Sequence, residues 1–263
     1  MHYLKMALAS LAVIAVMCSG SAAGSAEIKV LASGSLKGAL SQLIPDFQKA
    51  SGDTATIEYG PAGAIMGRIQ KDDAADVVIV SRAQIEKLAS NGKVLPGSLV
   101  NVAAIALGVA VRKGAPKPDI SSVEAFKRTL LAARSIGYRD PATGSTSGTY
   151  AASLVEQLGI AEDIKPKLRL DRTEGDAPEN VFRTVASGEI EMQIGQITEI
   201  VIAPGVELAG PLPAEIQNTT VMAAGIVASS KTPDAATAFI RFISSPSAAA
   251  VLKATGFVAM KEN

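Results

Sequence analysis

Three short segments of the chain combine small residues with hydroxyl groups, and each lies where an apolar run gives way to helical spacing. They are Ser33–Ser35, Gly60–Gly63 and Thr143–Gly148. The first turn of a helix has backbone N–H groups without intrahelical acceptors and the positive end of the helix dipole, so such turns bind anions. If the three turns face one cleft, they predict an anion site built from hydroxyl and amide donors.

The same turns have a simpler interpretation, in which Ser35 and Ser147 only cap their own helices. Three turns of this kind in one chain favour the anion site over separate caps. The third turn is not a phosphate-binding Walker loop, because no lysine follows Gly148 and Thr149 stands there instead.

Two arginines lie at the expected edges of this cleft. Arg82 follows Ser81 at the end of an apolar run, and Arg139 precedes the loop that begins at Asp140. A guanidinium group matches a planar carboxylate with two parallel hydrogen bonds and fits a tetrahedral oxyanion less well. The arginines therefore favour an organic acid as the ligand. The alternatives are solvated surface arginines or an ion pair between Arg139 and Asp140.

The composition excludes several kinds of catalytic and metal site. His2 is the only histidine and Cys18 the only cysteine, and both lie in an apolar N-terminal stretch. Once that stretch is removed, the chain cannot form thiolate or imidazole zinc sites, histidine-dependent nucleophiles or redox dithiols. Asp72, Asp73 and Asp76 lack the spacing of a calcium loop, so neither a metal nor a cofactor is predicted. The formal net charge of +0 argues against non-specific binding to nucleic acid.

Residues 1–26 are predicted to form a cleavable signal peptide. Lys5 precedes the apolar run Met6–Met17, which is too short to span a bilayer comfortably, and small residues follow as far as Ala26. Cleavage is expected after Ala26, with Ala23 as the other option. We therefore expect a periplasmic protein that is not inserted in the membrane. The alternative is an N-terminal membrane anchor or a core helix.

Short strand-like runs alternate with helical periodicity from Glu27 onward, which is typical of an α/β architecture. The apolar run Val102–Val111 is long for one strand and is interpreted as a strand that crosses between two lobes. Two crossings would leave a ligand cleft between the lobes. The predicted division is 27–105 and 201–263 for the first lobe and 106–200 for the second.

Several motifs resemble those of periplasmic binding proteins of the molybdate-binding type. The resemblance extends from Ile28 to about Phe257 and rests on Val30–Leu36, Ala75–Ile79, Asp140–Pro141 with Gly148 and Tyr150, Ser245–Lys253, and Gly256–Phe257. It implies a two-lobed type II periplasmic binding protein fold, with a mixed sheet in each lobe and a cleft between them. It also implies a receptor that captures an anion and delivers it to a membrane ABC permease.

The ligand positions of that family are only partly retained. Ser35 matches the first family serine, and Ser147 lies near a backbone donor of the family. The second family serine falls on Ala62, another backbone donor falls near Pro178, which has no N–H, and the oxyanion-binding tyrosine falls on Gln196. The changes argue against molybdate as the ligand.

The segment Gln193–Gln196, followed by Thr198 and Glu199, resembles a subgroup that is similar to periplasmic aconitate isomerase, an enzyme on the same receptor fold. The isomerisation needs a proton moved across an allylic system, or rotation about a transient single bond. Without histidine, the base would be a carboxylate, a tyrosine or a lysine with a shifted pKa. The candidates are Tyr138, Asp140, Tyr150 and Glu179, each with an ordinary packing or capping role as the alternative.

The sequence thus predicts a monomeric periplasmic substrate-binding protein that captures a small anion, a di- or tricarboxylate, for an ABC transporter. Aconitate isomerisation, or binding of molybdate or tungstate, is the alternative. The expected ligand contacts are Ser33, Gly34, Ser35, Ala62, Gly63, Ser81, Arg82, Arg139, Ser145, Thr146, Ser147 and Gln196.

Overall fold

The computed structural model describes residues 25–173 and 178–258, except for the side chains of Pro178 and Glu179. Residues 1–24 of the predicted signal peptide lie outside this part of the chain. The strands are β1 Glu27–Ser33, β2 Thr54–Gly60, β3 Val77–Ser81, β4 Val100–Ile105, β5 Leu107–Arg112, β6 Ile136–Arg139, β7 Leu168–Asp171, β8 Met192–Gln196, β9 Val206–Pro211 and β10 Thr220–Ile226.

The helices alternate with these strands. They are α1 Lys37–Ser51, α2 Ala62–Gln70, α3 Arg82–Ser90, α4 Val123–Ala132, α5 Thr146–Gln157, α6 Ala161–Ile164, α7 Pro178–Val181, α8 Arg183–Ser187, α9 Ile197–Ile200, α10 Pro233–Ile243 and α11 Pro246–Ala254. Short 3-10 turns occur at Gly34–Leu36, Pro96–Ser98, Pro141–Thr143, Lys165–Lys167 and Ala214–Ile216.

The strands form two five-stranded sheets, one in each lobe, with the orders β2-β1-β3-β10-β4 and β7-β6-β8-β5-β9. In the first sheet β1 is parallel to β2 and β3, while β10 is antiparallel to β3 and β4. The second sheet repeats this arrangement, because β6 is parallel to β7 and β8 while β5 is antiparallel to β8 and β9. The prediction of two α/β lobes with mixed sheets is confirmed.

Each sheet is covered by helices on both faces, which explains the continuous apolar runs in its central strands. In the first lobe, α1, α10 and α11 cover one face and α2 and α3 the other. Phe47 and Phe239 meet edge to face with ring centroids 5.1 Å apart, an arrangement that favours aromatic pairs. In the second lobe, α4, α5 and α6 cover one face, and the segment of α7 to α9 covers the other.

The chain passes between the lobes at two places. Ala106 alone separates β4 in the first sheet from β5 in the second, so the run Val102–Val111 is two strands rather than one crossing strand. The return crossing comprises residues 212–219, since β9 pairs with β5. This is later in the chain than the expected boundary at residue 201, and residues 206–211 belong to the second lobe.

One side chain ties the two crossings together. The Leu107 N–H donates to Gln217 Oε1 at 2.8 Å, and Gln217 Nε2 donates to the Leu107 carbonyl at 2.9 Å. The Leu107 carbonyl also accepts the Leu212 N–H at 3.0 Å, so Gln217 supplies the acceptor for the Leu107 N–H and a second donor to the Leu107 carbonyl.

Within the described residues, no single helix is long and apolar enough to cross a membrane. The pair α10 and α11 meets that test only when the two helices are joined across a 60° bend, and their apolar residues belong to the core of the first lobe.

Candidate functional site

A small cavity lies between the lobes, at the ends of strands from both sheets. Its volume is about 20 Å³, which is room for roughly one water molecule. The first lobe contributes Ser33, Pro61 and Ala62, and the second contributes Arg139, Ser145, Thr146, Ser147, Gln196 and Glu199. Parallel strands end at the same edge of a sheet, and ligands of α/β proteins collect at that edge.

The wall from the first lobe consists of two strand-to-helix turns. At the end of β1, the hydroxyl oxygens of Ser33 and Ser35 lie 3.1 Å apart in a hydrogen bond, and both side chains are buried. At the end of β2, Pro61 precedes the first turn of α2, and no side chain caps that turn. The free N–H groups of α2 therefore begin at Ala62, which lines the cavity.

The wall from the second lobe begins with a serine pair of the same form. Ser145 is the N-cap of α5 and accepts a hydrogen bond from the Gly148 N–H at 3.3 Å. Its hydroxyl oxygen lies 3.0 Å from that of Ser147. A Cβ at position 148 would overlap the carbonyl oxygen of Arg139, so the start of α5 can lie against the end of β6 only because Gly148 has no side chain.

Arg139 supplies the cavity with a positive charge. Its side chain is 4% exposed, and its Nη1 lies 3.6 Å from Oδ2 of Asp171, whose side chain is 8% exposed. The two residues are aligned in the register of β6 and β7. Their separation is that of an ion pair rather than a hydrogen bond, and Asp171 Oδ2 accepts no hydrogen bond from the described residues. A buried carboxylate behind the guanidinium lowers the cost of burying its charge.

Glu199 places a carboxylate in the same cavity, although it is not among the ligand contacts or the bases expected from the sequence. It lies in α9, directly after β8, and its side chain is buried. Helix α9 packs against the Gly34–Leu36 turn of the first lobe. Two sequence signals point to Glu199: it belongs to the segment that resembles the aconitate isomerase subgroup, and it lies in a further strand-to-helix turn. That turn contains none of the glycine and serine residues that marked the other three.

Most of the expected ligand contacts come together at the cavity. Ser33, Ala62, Arg139, Ser145, Thr146, Ser147 and Gln196 line it. Gly34 and Ser35 belong to the turn that follows Ser33, and Gly63 follows Ala62 in the first turn of α2.

Arg82 and Ser81 are not among the residues that line the cavity. The Arg82 side chain is 39% exposed, and its Nε donates to Glu86 at 2.7 Å. Its Nη1 donates to Asn101 Oδ1 at 3.0 Å, and the hydroxyl of Ser81 donates to Gln84 at 2.7 Å. These contacts hold the Arg82 guanidinium on its own helix and on β4.

The two tyrosine candidates for a base both belong to the core of the second lobe. Tyr138 is 5% exposed, and burial raises the pKa of its hydroxyl. Tyr150 donates a hydrogen bond of 2.7 Å to the carbonyl of Ile216 in the return crossing, and burial raises the pKa of its hydroxyl too. Neither residue lines the cavity.

The carboxylate candidate Asp140 serves the loop that it begins. Its Oδ1 accepts the Ala142 N–H at 2.9 Å and its Oδ2 accepts Arg172 Nε at 2.6 Å. These hydrogen bonds hold the pKa of Asp140 below its usual value. The partner of Asp140 is thus Arg172, whereas Arg139 pairs with Asp171. The side chain of Glu179 lies outside the described residues.

Comparison with known proteins yields one family and several relatives. The model of bacterial extracellular solute-binding proteins matches residues 28–258. An aconitate isomerase from Pseudomonas sp is 32% identical over 235 residues, which is 87% of this chain and 86% of that protein. The molybdate-binding protein ModA from Azotobacter vinelandii is 25% identical over 246 residues, covering 90% of this chain and 91% of that protein.

Solved structures agree on the fold. The periplasmic molybdate-binding protein from Azotobacter vinelandii has a TM-score of 0.72 at 22% identity, covering 89% of this chain and 100% of that one. The sulfate-binding protein SubI from Mycobacterium tuberculosis H37Rv also has a TM-score of 0.72, at 18% identity, covering 88% of this chain and 86% of that one. The expected type II periplasmic binding protein fold is confirmed.

Proposed function

The chain belongs to the family of bacterial extracellular solute-binding proteins, and on that basis we propose that it captures a small organic di- or tricarboxylate between its lobes. The observation that carries the proposal is the buried guanidinium of Arg139 in the wall of the interlobe cavity. A guanidinium can donate two parallel hydrogen bonds to one carboxylate. Delivery to an ABC permease, by a monomer in the periplasm, is part of the proposal.

The other donors of the cavity suit the remaining carboxylate oxygens. Each lobe contributes a pair of serine hydroxyls, and α2 and α5 each begin at the cavity with N–H groups that have no intrahelical acceptor. Such donors recognise any anion, so they support anion capture without selecting its shape. Selection for planar acids is assigned to Arg139, because its donors are coplanar.

Binding of such an acid requires the lobes to move apart and close again. A cavity of about 20 Å³ holds little more than one water molecule, far less than a tricarboxylate. The two crossings at Ala106 and 212–219 are the natural hinge, because they are the segments that connect the two lobes.

A ligand screen tests this function. We expect succinate, citrate and the aconitate isomers to raise the melting temperature, since a ligand that binds only the folded state stabilises it. Calorimetry would then rank their affinities against molybdate, tungstate and sulfate. Tight binding of molybdate or tungstate together with no binding of any carboxylate would overturn the proposal.

A second function, isomerisation of aconitate, is favoured by two specific observations. One is the aconitate isomerase relative, which is 32% identical over 87% of this chain. The other is the carboxylate of Glu199 in the cavity wall, since such a group can move a proton. Incubation with trans-aconitate, followed by chromatography, separates the two functions. Formation of cis-aconitate indicates an isomerase, and unchanged ligand indicates a receptor.

A further inference from the structure

The presence of Glu199 in the cavity wall is unexpected for a site that only binds anions. Its side chain is buried and lies in the same wall as Arg139. An ionised carboxylate only accepts hydrogen bonds, so it supplies no donor to an anionic ligand. Capture alone would be served better by an uncharged amide such as that of Gln196, which lines the cavity three residues earlier.

We propose that Glu199 is a catalytic base that moves a proton between two carbon atoms of a bound unsaturated tricarboxylate. The proposal rests on the proposed carboxylate binding and names the residue that would perform the second candidate function. Among the described residues that line the cavity, only Glu199 has a carboxylate, and none is a histidine, cysteine, lysine or tyrosine.

The reaction balances with Glu199 as its only acid–base group. The carboxylate takes a proton from the methylene carbon of aconitate, and the electron pair of the broken C–H bond spreads over the allylic system and its attached carboxylates. The protonated Glu199 then returns the proton to the carbon that was vinylic. The double bond has moved by one position, the side chain is regenerated, and no oxidant, reductant or co-reactant is consumed. The intermediate can be reprotonated to either isomer.

The positions of Arg139 and Glu199 suit a site in which Arg139 binds the substrate and Glu199 transfers the proton. Arg139 ends β6, Glu199 follows β8, and these strands are parallel neighbours in the sheet of the second lobe. Both groups therefore move as one body when the lobes open. Arg139 would hold a substrate carboxylate and stabilise the charge that develops on it, while the base stays at a fixed distance. The hydroxyls of the first lobe would complete the site on closure.

The experiment compares wild-type protein with the Glu199→Gln variant, using trans-aconitate in D₂O. Proton NMR follows both deuterium incorporation into aconitate and formation of the cis isomer, and calorimetry gives the dissociation constant. We expect Glu199→Gln to lower both rates by about 10²–10⁴-fold, the usual contribution of a general base. Affinity should fall much less than the rates, because the amide keeps the size and shape of the carboxyl group. A merely structural role would lower affinity and rate together.

A matched control is Glu162→Gln, which removes a carboxylate from the surface of the same lobe. The Glu162 side chain is 85% exposed and forms an ion pair with Lys165, three residues later in the chain. This variant should keep the rates and the affinity of the wild type. If Glu199→Gln does not fold, Glu199→Asp moves the carboxylate by one methylene and should lower the rates at least tenfold with retained circular dichroism.

The outcomes separate this inference from the proposed function. Wild-type rates in Glu199→Gln, or in a folded Glu199→Asp variant, would overturn the inference. A wild-type protein that binds carboxylates but catalyses neither exchange nor isomerisation would also overturn it, and the proposed capture function would stand. If the wild type binds no carboxylate at all, the proposed function itself fails.

Discussion

Gly63 and Gly144 bring the backbones of the two lobes into contact beside the cavity. A Cβ on Gly63 would lie 3.1 Å from the Cα of Gly144, and a Cβ on Gly144 would lie 3.0 Å from the Cα of Gly63. Gly63 belongs to the first turn of α2, and Gly144 precedes α5 with a φ of +76°. Two of the turns that donate to the cavity can therefore approach this closely only while both positions lack a side chain.

The variant Gly63→Ala tests whether this contact limits closure. Its methyl group would force the lobes apart by a few tenths of an ångström, so we expect weaker carboxylate binding by calorimetry. Gly67→Ala is the matched control, because Gly67 lies in the same helix with nothing within 4 Å of an added Cβ. It should keep the affinity and raise the free energy of unfolding by about 0.5–1 kcal/mol. Equal affinity in the two variants would show that the contact does not limit closure.

Arg139→Gln should abolish most carboxylate affinity. The expected pair is the Arg139 guanidinium with a carboxylate of the bound ligand. Truncation of one partner of such a buried, hydrogen-bonded charge pair costs about 2–5 kcal/mol of binding free energy, equal to roughly a 30-fold to several-thousand-fold loss of affinity. Arg82→Gln should change affinity little, because the Arg82 guanidinium is bonded to Glu86 and Asn101. Arg134→Gln controls for the loss of one positive charge, since the Arg134 side chain is 87% exposed.

Calorimetry with the best carboxylate of the screen ranks these variants. Equal losses of affinity in Arg82→Gln and Arg139→Gln would show that Arg82 also contacts the ligand. Arg82 would then have to leave Glu86 and Asn101 when the lobes close. An unchanged affinity in Arg139→Gln would contradict the assignment of the carboxylate-binding group.

Ser147→Ala and Ser35→Ala should each weaken anion binding, because each serine belongs to a hydroxyl pair at the cavity. A hydrogen bond to a charged group contributes about 1.5–3 kcal/mol, so a loss of roughly 10- to 150-fold is expected for each variant. Ser247→Ala is the matched control. Its hydroxyl forms the same kind of pair with Ser245, 2.8 Å apart, at the exposed start of α11. If all three variants lose the same affinity, the serine pairs do not contact the ligand.

The parts of the site that could be predicted from the sequence are those whose signal is local. A strand end, a glycine and serine hydroxyls lie within a few residues of one another around Ser33–Ser35 and Ser145–Ser147, so the two walls were recognisable from the sequence alone. Glu199 is named only as part of the segment that resembles the aconitate isomerase subgroup, because its turn Ile197–Ile200 contains no glycine or serine, and the fold is what brings its carboxylate to the cavity.

Contacts that the strand-end pattern does not show account for the expectations that differ from the structure. Arg82 follows a strand as Arg139 does, but a carboxylate lies four residues later at Glu86, and Asn101 lies across the sheet. The boundary at residue 201 precedes β9, an edge strand in which only Val206 is fully buried. Its weak apolar pattern could not reveal that it pairs with β5.

Gln217→Ala should loosen the hinge. Gln217 Oε1 accepts the Leu107 N–H, and its Nε2 donates to the Leu107 and Leu212 carbonyls. Loss of a partner for a part-buried backbone group costs about 1–3 kcal/mol, which urea unfolding would measure. Small-angle scattering should show a larger radius of gyration if the lobes open more freely. Wild-type stability and radius would indicate that water replaces the amide without cost.

Asp76→Asn should change how stability depends on pH. Burial alone would raise the pKa of Asp76, but hydrogen bonds from the Lys29 N–H at 2.9 Å and the Ser230 hydroxyl at 2.7 Å outweigh it and hold the pKa below the ordinary 3.8. A carboxyl with a lowered folded-state pKa stabilises the protein above its unfolded-state pKa, and that contribution is lost as pH falls through the folded-state value. The asparagine variant should therefore be less stable at neutral pH and lose less stability on acidification. Urea unfolding of both proteins, from neutral pH to below the folded-state pKa, checks this, and parallel curves would mean that Asp76 contributes no pH dependence.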